Sequence, residues 1–314
     1  MNSQIIAGIL TAAIASGTII IYAALGELMA ERSGVQNLGL EGLMAMGAVS
    51  ALLTERTVPS PYAGLLVAIL VGLALGAVFA FATVTMKANQ TLCGLGLTFL
   101  GTGLSARIGV SVSGWPAPVV FPTIRIPVLA DLPLIGQALF NQSILVYIAY
   151  FVLPPLVSFV LYRTRHGMHV RSVGENPAAA DACGIPVHRI RFAYTCVGAV
   201  LAAVGGAFVT LAYTPSWIEG IVAGRGWIAI ALVIFGAWRP LPVVLGALLF
   251  GAVTSMGFVA QVQNWGIPSA FLAMLPYLAT ILLMAIPVIL RTRTTRRIST
   301  SPAALGIPYI REGD

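Results

Sequence analysis

Very few side chains in this sequence are placed to do chemistry, and those few sit in apolar surroundings. Glu27, Glu41 and Glu219 interrupt or border long hydrophobic runs, and Arg225 follows Glu219 closely. A charged group at membrane depth is costly unless it faces a cavity, a partner or a coupling ion. Two chemistries suit such carboxylates. One is proton or sodium binding in a gradient-driven carrier; the other is lining a polar path for a solute. Asn37 and the run Asn89-Gln90-Thr91 add neutral polar groups that would point inward on the second reading. Group-transfer or hydrolytic chemistry has no constellation here, with neither paired carboxylates nor a nucleophile–histidine arrangement. Cys93, Cys183 and Cys196 share no metal-ligand spacing, and Cys93 and Cys196 lie in apolar runs as small fillers. His166, His169 and His188 lie near arginines between spans and read as solvated or headgroup residues. A Gly-x-x-x-x-Gly-Lys-Ser/Thr phosphate loop is absent, and the chain has a single lysine, Lys87. No cofactor or metal is expected, and any ATP must be hydrolysed on another chain.

The elements that hold these residues belong in lipid. Of 314 residues, 58% are hydrophobic and 9% charged, with a mean hydropathy of +0.95. A soluble domain carries about 25% charged residues, so a fold of this length could not cover its surface with so few. The formal net charge of +7 does not point to nucleic acid, because the arginines lie between or beside apolar runs. The start, Met1-Asn2-Ser3-Gln4, has no basic region, so the first apolar run reads as a span and not as a cleaved signal.

At about 20 apolar residues per crossing, the chain reads as an all-α helical bundle of nine spans, within a range of eight to ten. They fall at 5–26, 33–53, 62–86, 90–110, 142–162, 192–213, 216–238, 241–261 and 270–290. The organisation is one transmembrane domain over 1–290 and a basic tail over 291–314. Five prolines between 116 and 133 break any helix, so 111–141 is an ordered extramembrane loop. The segment 163–191 carries Arg163, Arg165, Arg171, Arg189 and Arg191, and the tail carries Arg291, Arg293, Arg296 and Arg297. Positive clusters mark the cytoplasmic side, which places the N-terminus outside and the C-terminus inside. Arg56, Arg107, Arg125 and Arg225 are the exceptions.

Spans two and seven are the weak ones. The second is entered through Glu31 to Gly42, and the seventh carries Glu219 to Gly226. These are either interfacial loops capping shorter spans or glycine-broken helices lining a path. Spans one to four and six to nine share a rhythm of a plain span, a broken span and two plain ones. Gly39–Gly47 also resembles Gly224–Leu232 in pattern. With an odd span between them, the halves form an inverted repeat, a recurrent transporter design. The abundance of glycine, with Gly72 and Gly76 or Gly220 and Gly224 four apart, indicates close helix packing.

One extramembrane stretch, within the segment 171–191, is written as a short capped helix. Asn176 is a good N-cap and Pro177 suits the first turn. Ala178, Ala179 and Ala180 favour helix, Gly184 supplies a left-handed C′ residue, and Pro186 prevents continuation. A rigid helix between two spans suits docking on a soluble partner. The run Gly174-Glu175-Asn176-Pro177, then Ala179-Ala180 and Gly184-Ile185, resembles the coupling segment of the ABC permease family that serves ribose, galactose and related solutes, and Glu175 and Asp181 would supply charge near the contact. Glu31 to Gly42, and Ala223 to Ala229 with Ile234-Phe235-Gly236, look like the nucleoside-uptake branch of that family. The resemblance covers about residues 5 to 290. It implies the translocation path of an importer in the bacterial plasma (inner) membrane; Asn89, Gln90 and Thr91 resemble the branch's polar entry to the fourth span, and Asn37, Glu41, Glu219 and Arg225 line the path if spans two and seven are its broken helices. It also implies an ABC ATPase subunit, a second permease of different sequence, and a solute-binding protein or lipoprotein as partners. A simple sugar is the alternative solute, and an ion-coupled carrier using Glu27, Glu41 and Glu219 the alternative class.

Overall fold

The computed structural model describes residues 3–127, 129–130, 135–263, 266, 268, 270–272, 274–275, 278–279, 281–282, 285 and 301–311. Twelve α-helices are delimited among them: α1 Ser3–Arg32, α2 Leu40–Thr57, α3 Pro61–Ala80, α4 Gln90–Gly109, α5 Ile135–Phe140, α6 Ile144–Tyr147, α7 Leu153–Arg163, α8 Arg165–Glu175, α9 Pro177–Ala182, α10 Val187–Phe208, α11 Arg225–Phe235 and α12 Pro240–Val262. Single π-helical turns at Phe81–Thr85, Ile148–Val152 and Val209–Tyr213 extend α3, join α6 to α7, and extend α10. A short antiparallel pair, β1 Thr123–Arg125 and β2 Asn141–Ser143, pins the 111–141 loop.

Six of the described helical stretches are long and apolar enough to cross a membrane: Ala7–Arg32, Pro61–Thr85, Gln90–Val112, Ile144–Arg163, Val187–Tyr213 and Pro240–Val262. α2 and α11 fall short of that standard, and these are the spans the sequence marks as broken. About half of the ninth expected span, 270–290, lies outside the described residues, as do Arg291, Arg293, Arg296 and Arg297. The chain is therefore an all-α, multi-pass membrane protein.

α1 and α10 form the centre. In the most apolar stretch of α10, 78% of residues are buried, against 28% in α3. Rows of exposed leucines and aromatics on α3 (Leu66, Leu70, Leu73), α4 (Leu92, Phe99, Leu100) and α12 (Leu241, Leu245, Leu249) face outward. With lipid as solvent that exposure carries no penalty. Close approach of backbones holds the centre together. A Cβ on Gly47 of α2 would collide with the Ala203 carbonyl of α10, and one on Gly206 of α10 would collide with the Met44 carbonyl of α2. Glycine at both places lets the two helices touch main chain to main chain.

Two boundaries differ from those read in the sequence. α1 continues through Glu31 and Arg32, so these residues end the first span instead of opening the second. Gly34, at φ +94°, closes α1: its N–H donates to the Glu31 carbonyl, and the Val35 N–H donates to the Ala30 carbonyl. The chain then runs without helix from 35 to 39, and α2 begins only at Leu40. In the seventh span, residues 214–224 are non-helical and α11 begins at Arg225. Gly220 and Gly224 take left-handed φ there, which an uninterrupted helix cannot contain. The connection between α7 and α10 also holds two helices, where the sequence signals only the second. α8 is amphipathic, burying Gly167, Val170, Val173 and Gly174.

The loops sort to two ends. Arg56 donates to the Ser111 carbonyl, Tyr62 stacks edge-on to Phe121, and the Ala117 N–H donates to the Pro215 carbonyl at one end. Arg32, Gly34, Gly174, Asp181, Trp238 and residues 304–311 meet at the other.

Candidate functional site

The two interrupted helices begin at the same place. The 35–39 segment runs inward along α4, where Thr98 donates its hydroxyl to the Leu38 carbonyl. It delivers Glu41 to the first turn of α2. The 214–224 segment comes from the opposite end and delivers Gly224 to the start of α11. There the Glu41 carboxylate accepts from both: Gly224 N–H to Oε1 at 2.8 Å and Gly226 N–H to Oε2 at 2.8 Å. A carboxylate here meets the free donors and the positive dipole end of α11. The starts of two helices that run to opposite ends are thereby joined through one side chain.

A cavity of about 170 Å³ opens beside this junction, lined among others by Glu41, Ala45, Thr102, Ser105, Trp217 and Glu219. Ser105 Oγ donates to the Ala45 carbonyl and Thr102 Oγ1 to the Thr98 carbonyl, so both hydroxyl oxygens keep acceptor capacity. The Trp217 ring is buried at the cavity, and its indole N–H has no partner among the described residues. Glu41 and Glu219 are thus brought together with an aromatic face and two hydroxyls.

The other path residues read from the sequence are placed elsewhere. Asn37 is buried behind the junction; its N–H donates to Glu27 Oε1 at 2.7 Å and its side chain accepts from the Gly39 N–H. Gln90 is buried too and accepts from the Gln36 N–H at 2.8 Å. These two hold the 35–39 segment in shape. Asn89 caps α4 by accepting from the Leu92 N–H, and Thr91 beside it is exposed. Arg225 is half-buried, lies over the Tyr213 ring at 5.7 Å and donates to the Ile221 carbonyl.

The sequence reading passed over a second polar cluster. Glu27 and Glu31 lie one turn apart on α1, both fully buried, so the chain does hold a pair of neighbouring carboxylates. The Trp238 indole N–H donates to Glu31 Oε2. The Trp238 carbonyl accepts from Arg32 at 3.0 Å and from the Tyr162 hydroxyl at 2.9 Å. Ala237 and Trp238 hold left-handed φ of 50° and 56°, a strained turn that this network maintains. The Glu27–Glu31 spacing carries that signal, but a first span ending at residue 26 leaves both carboxylates outside it.

At the same end, α9 has the caps the sequence writes. Asn176 Oδ1 accepts from the Ala179 N–H at 3.0 Å, and Pro177 opens the helix. Gly184, at φ +78°, donates to the Asp181 carbonyl while Ile185 donates to the Ala180 carbonyl, which completes a Schellman turn. Ala178 and Ala179 are exposed, whereas Ala180 is buried against the bundle. Glu175 and Asp181 already have partners within the chain. Residues 301–311 return across this face: the Ala303 N–H donates to Glu175, the Ala304 N–H to the Gly174 carbonyl, the Tyr309 hydroxyl to Asp181, and Arg311 pairs with Asp181 at 2.9 Å. No sequence signal marked this strap, because hydropathy and charge read the tail only as basic.

Broken helices meeting at a polar cavity inside a lipid-exposed bundle, with a capped helix outside it, define a membrane transport component. The model of the family "Branched-chain amino acid transport system / permease component" matches residues 9–291, and the chain belongs to that family. It is 37% identical to a putative glucose ABC transporter permease protein of Haloferax volcanii, over 98% of this chain and 99% of that one. It is 34% identical to a nucleoside ABC transporter permease protein of Lactococcus lactis, over 86% and 88%. A guanosine ABC transporter permease protein of Bacillus subtilis is 31% identical over 98% of both chains. No solved structure matches. The chain is the permease subunit of an ABC transporter. Such a subunit works with an ATPase and a solute-binding component and is not itself an enzyme.

Proposed function

We propose that this permease forms the translocation path of a nucleoside importer in the bacterial plasma membrane, and that the solute passes the Glu41–Glu219 cavity. The observation that carries the reading is the grouping of two carboxylates, two hydroxyls and a buried indole at the junction of the broken helices. Carboxylates accept hydrogen bonds from ribose hydroxyls, and an aromatic face stacks on a base. Relatives named for nucleoside and guanosine transport support the same solute. A simple sugar is the second reading, favoured by the relative named for glucose, since its hydroxyls would suit the same carboxylates.

In this reading the complete bundle has nine spans, with the N-terminus outside and the arginine-rich end in the cytoplasm. The two half-helices are the equivalent members of an inverted repeat. α9 docks in a groove of the ATPase, a second permease of different sequence completes the path, and a binding protein or lipoprotein delivers the solute. Asn37, Gln90 and Asn89 shape the path by holding the 35–39 segment and the start of α4, and Arg225 holds the turn before α11.

The test is uptake of labelled guanosine and labelled glucose by cells that depend on this permease. Guanosine uptake reduced by Glu219→Gln, with glucose not accumulated, supports the nucleoside reading. Glucose accumulation without guanosine uptake replaces it with the sugar reading.

A further inference from the structure

A second and larger cavity, of about 500 Å³, lies at the α9 end, away from the solute path. That volume is within the range of small-ligand sites. Its walls are the π-turn that ends α3 with Lys87 beyond it, the Pro186–Arg191 start of α10, and the returning strap at Tyr309 and Arg311. Lys87, Arg189, Arg191 and Arg311 all line it, and the one carboxylate among them, Asp181, is already bonded to Arg311 and Tyr309. Among the described residues, Lys87 and Arg189 have no carboxylate partner. Lys87 is held at φ 58°, a left-handed conformation unusual for a side-chain-bearing residue.

The independent sign of a missing partner is Arg191. It is 2% exposed, donates through Nη1 to the Ile307 carbonyl at 2.9 Å, and has Nε and Nη2, the latter packed against Gly34, without a hydrogen-bond partner among the described residues. A buried guanidinium in the wall of a cavity that also holds three further cations and one committed carboxylate favours an anion that balances the charge. Thr85 and His188, joined at 2.9 Å across the cavity wall, leave one neutral donor free, the hydroxyl or the other ring N–H. Arginine and lysine with a hydroxyl or imidazole donor are the set that recognises a phosphate group.

We propose that this cavity binds a phosphate-bearing anion, either the headgroup of an acidic phospholipid or free phosphate. The surroundings suit a headgroup: Val78, Phe81 and Met86, on the same helix and turn, are exposed apolar side chains that reach into lipid. A lipid bridging α3, α10 and the strap would brace the end of the bundle that carries α9. This inference is independent of which solute crosses and of how α9 is used.

The experiment uses the full chain purified into phospholipid nanodiscs, with Lys87→Gln/Arg189→Gln as the variant and Arg165→Gln, exposed at the same end but outside the cavity, as the control. Native mass spectrometry reads retention of phosphatidylglycerol over phosphatidylcholine, and equilibrium dialysis reads binding of inorganic phosphate. Retention of phosphatidylglycerol by wild type and control, reduced about tenfold or more in the double variant as two charge-assisted contacts are lost, establishes the headgroup. Saturable phosphate binding lost in the variant, without lipid preference, establishes the free anion. Equal behaviour of wild type and variant toward both probes, with unchanged thermal melting, overturns the proposal. Carbodiimide cross-linking of Lys87 to an ATPase carboxylate, with neither probe bound in the assembled complex, also overturns it and makes the cavity a protein-docking surface.

Discussion

Glu41 is the side chain on which the proposed solute path most depends, because both its oxygens hold the start of α11. Glu41→Ala removes a helix cap as well as a path group. The expected cost is about 1–2 kcal/mol, the range for loss of a cap, read as a lower melting temperature of the purified protein together with lost uptake. Glu219 is exposed in the cavity and has no comparable structural duty. Glu219→Gln should leave melting unchanged and raise the half-saturating solute concentration by about tenfold or more, the loss of one charge-assisted hydrogen bond. Equal melting losses for both variants would mean that both are structural. At this scale the sequence was legible in part. A carboxylate in an apolar run is visible, so Glu41 and Glu219 stand out. Trp217, Ser105 and Thr102 do not, because hydroxyls and indoles inside apolar helices are ordinary until the fold brings them together. Asn37 and Gln90 carry the same polar signal as Glu41, yet their side chains accept from backbone N–H groups of residues 36 and 39, in and beside the non-helical turn before α2.

The helix ends were the most legible elements. The caps of α9 follow from Asn176, Pro177 and Gly184: Asn176 and Gly184 make capping hydrogen bonds and Pro177 opens the helix. Asn176→Ala should weaken α9 by about 1 kcal/mol, seen as faster amide exchange confined to 177–183. Gly184→Val should do more, since a β-branched residue resists φ +78°. The starts of α2 and α11 were less legible. Apolar content continues on both sides of each break, so hydropathy draws one long span where left-handed glycines interrupt it. Contact between α2 and α10 adds a sharper expectation. Gly206→Val places a branched side chain against the Met44 carbonyl. It should abolish recovery of folded protein, whereas Gly103→Val, with open space at its Cβ, should not.

For the whole molecule, composition alone fixed the solvent and the helical class, because 9% charge leaves no alternative to lipid. The strap over α8 and α9 was invisible, since its contacts link residues 128 apart in sequence through single hydrogen bonds. Truncation before Ser301 should remove the strap partners of Asp181 and Glu175 and increase proteolytic cutting between α7 and α10. Nine spans predict that an N-terminal tag is cut by protease on intact cells and a C-terminal tag is protected; protection of both would remove the odd span count.

ATP-dependent uptake of labelled guanosine, measured in vesicles that hold the assembled transporter, tests the central claim that α9 conveys the ATPase's work to the path between the broken helices. Ala179 is exposed on α9, and an arginine there would put an unpaired charge into the proposed docking groove at a cost of several kcal/mol. Wild type should accumulate guanosine only with ATP, with unlabelled nucleosides competing, and Ala179→Arg should fall to the level without ATP while still inserting and folding. Uptake by Ala179→Arg equal to wild type, with the ATPase retained at wild-type amounts, would contradict the account.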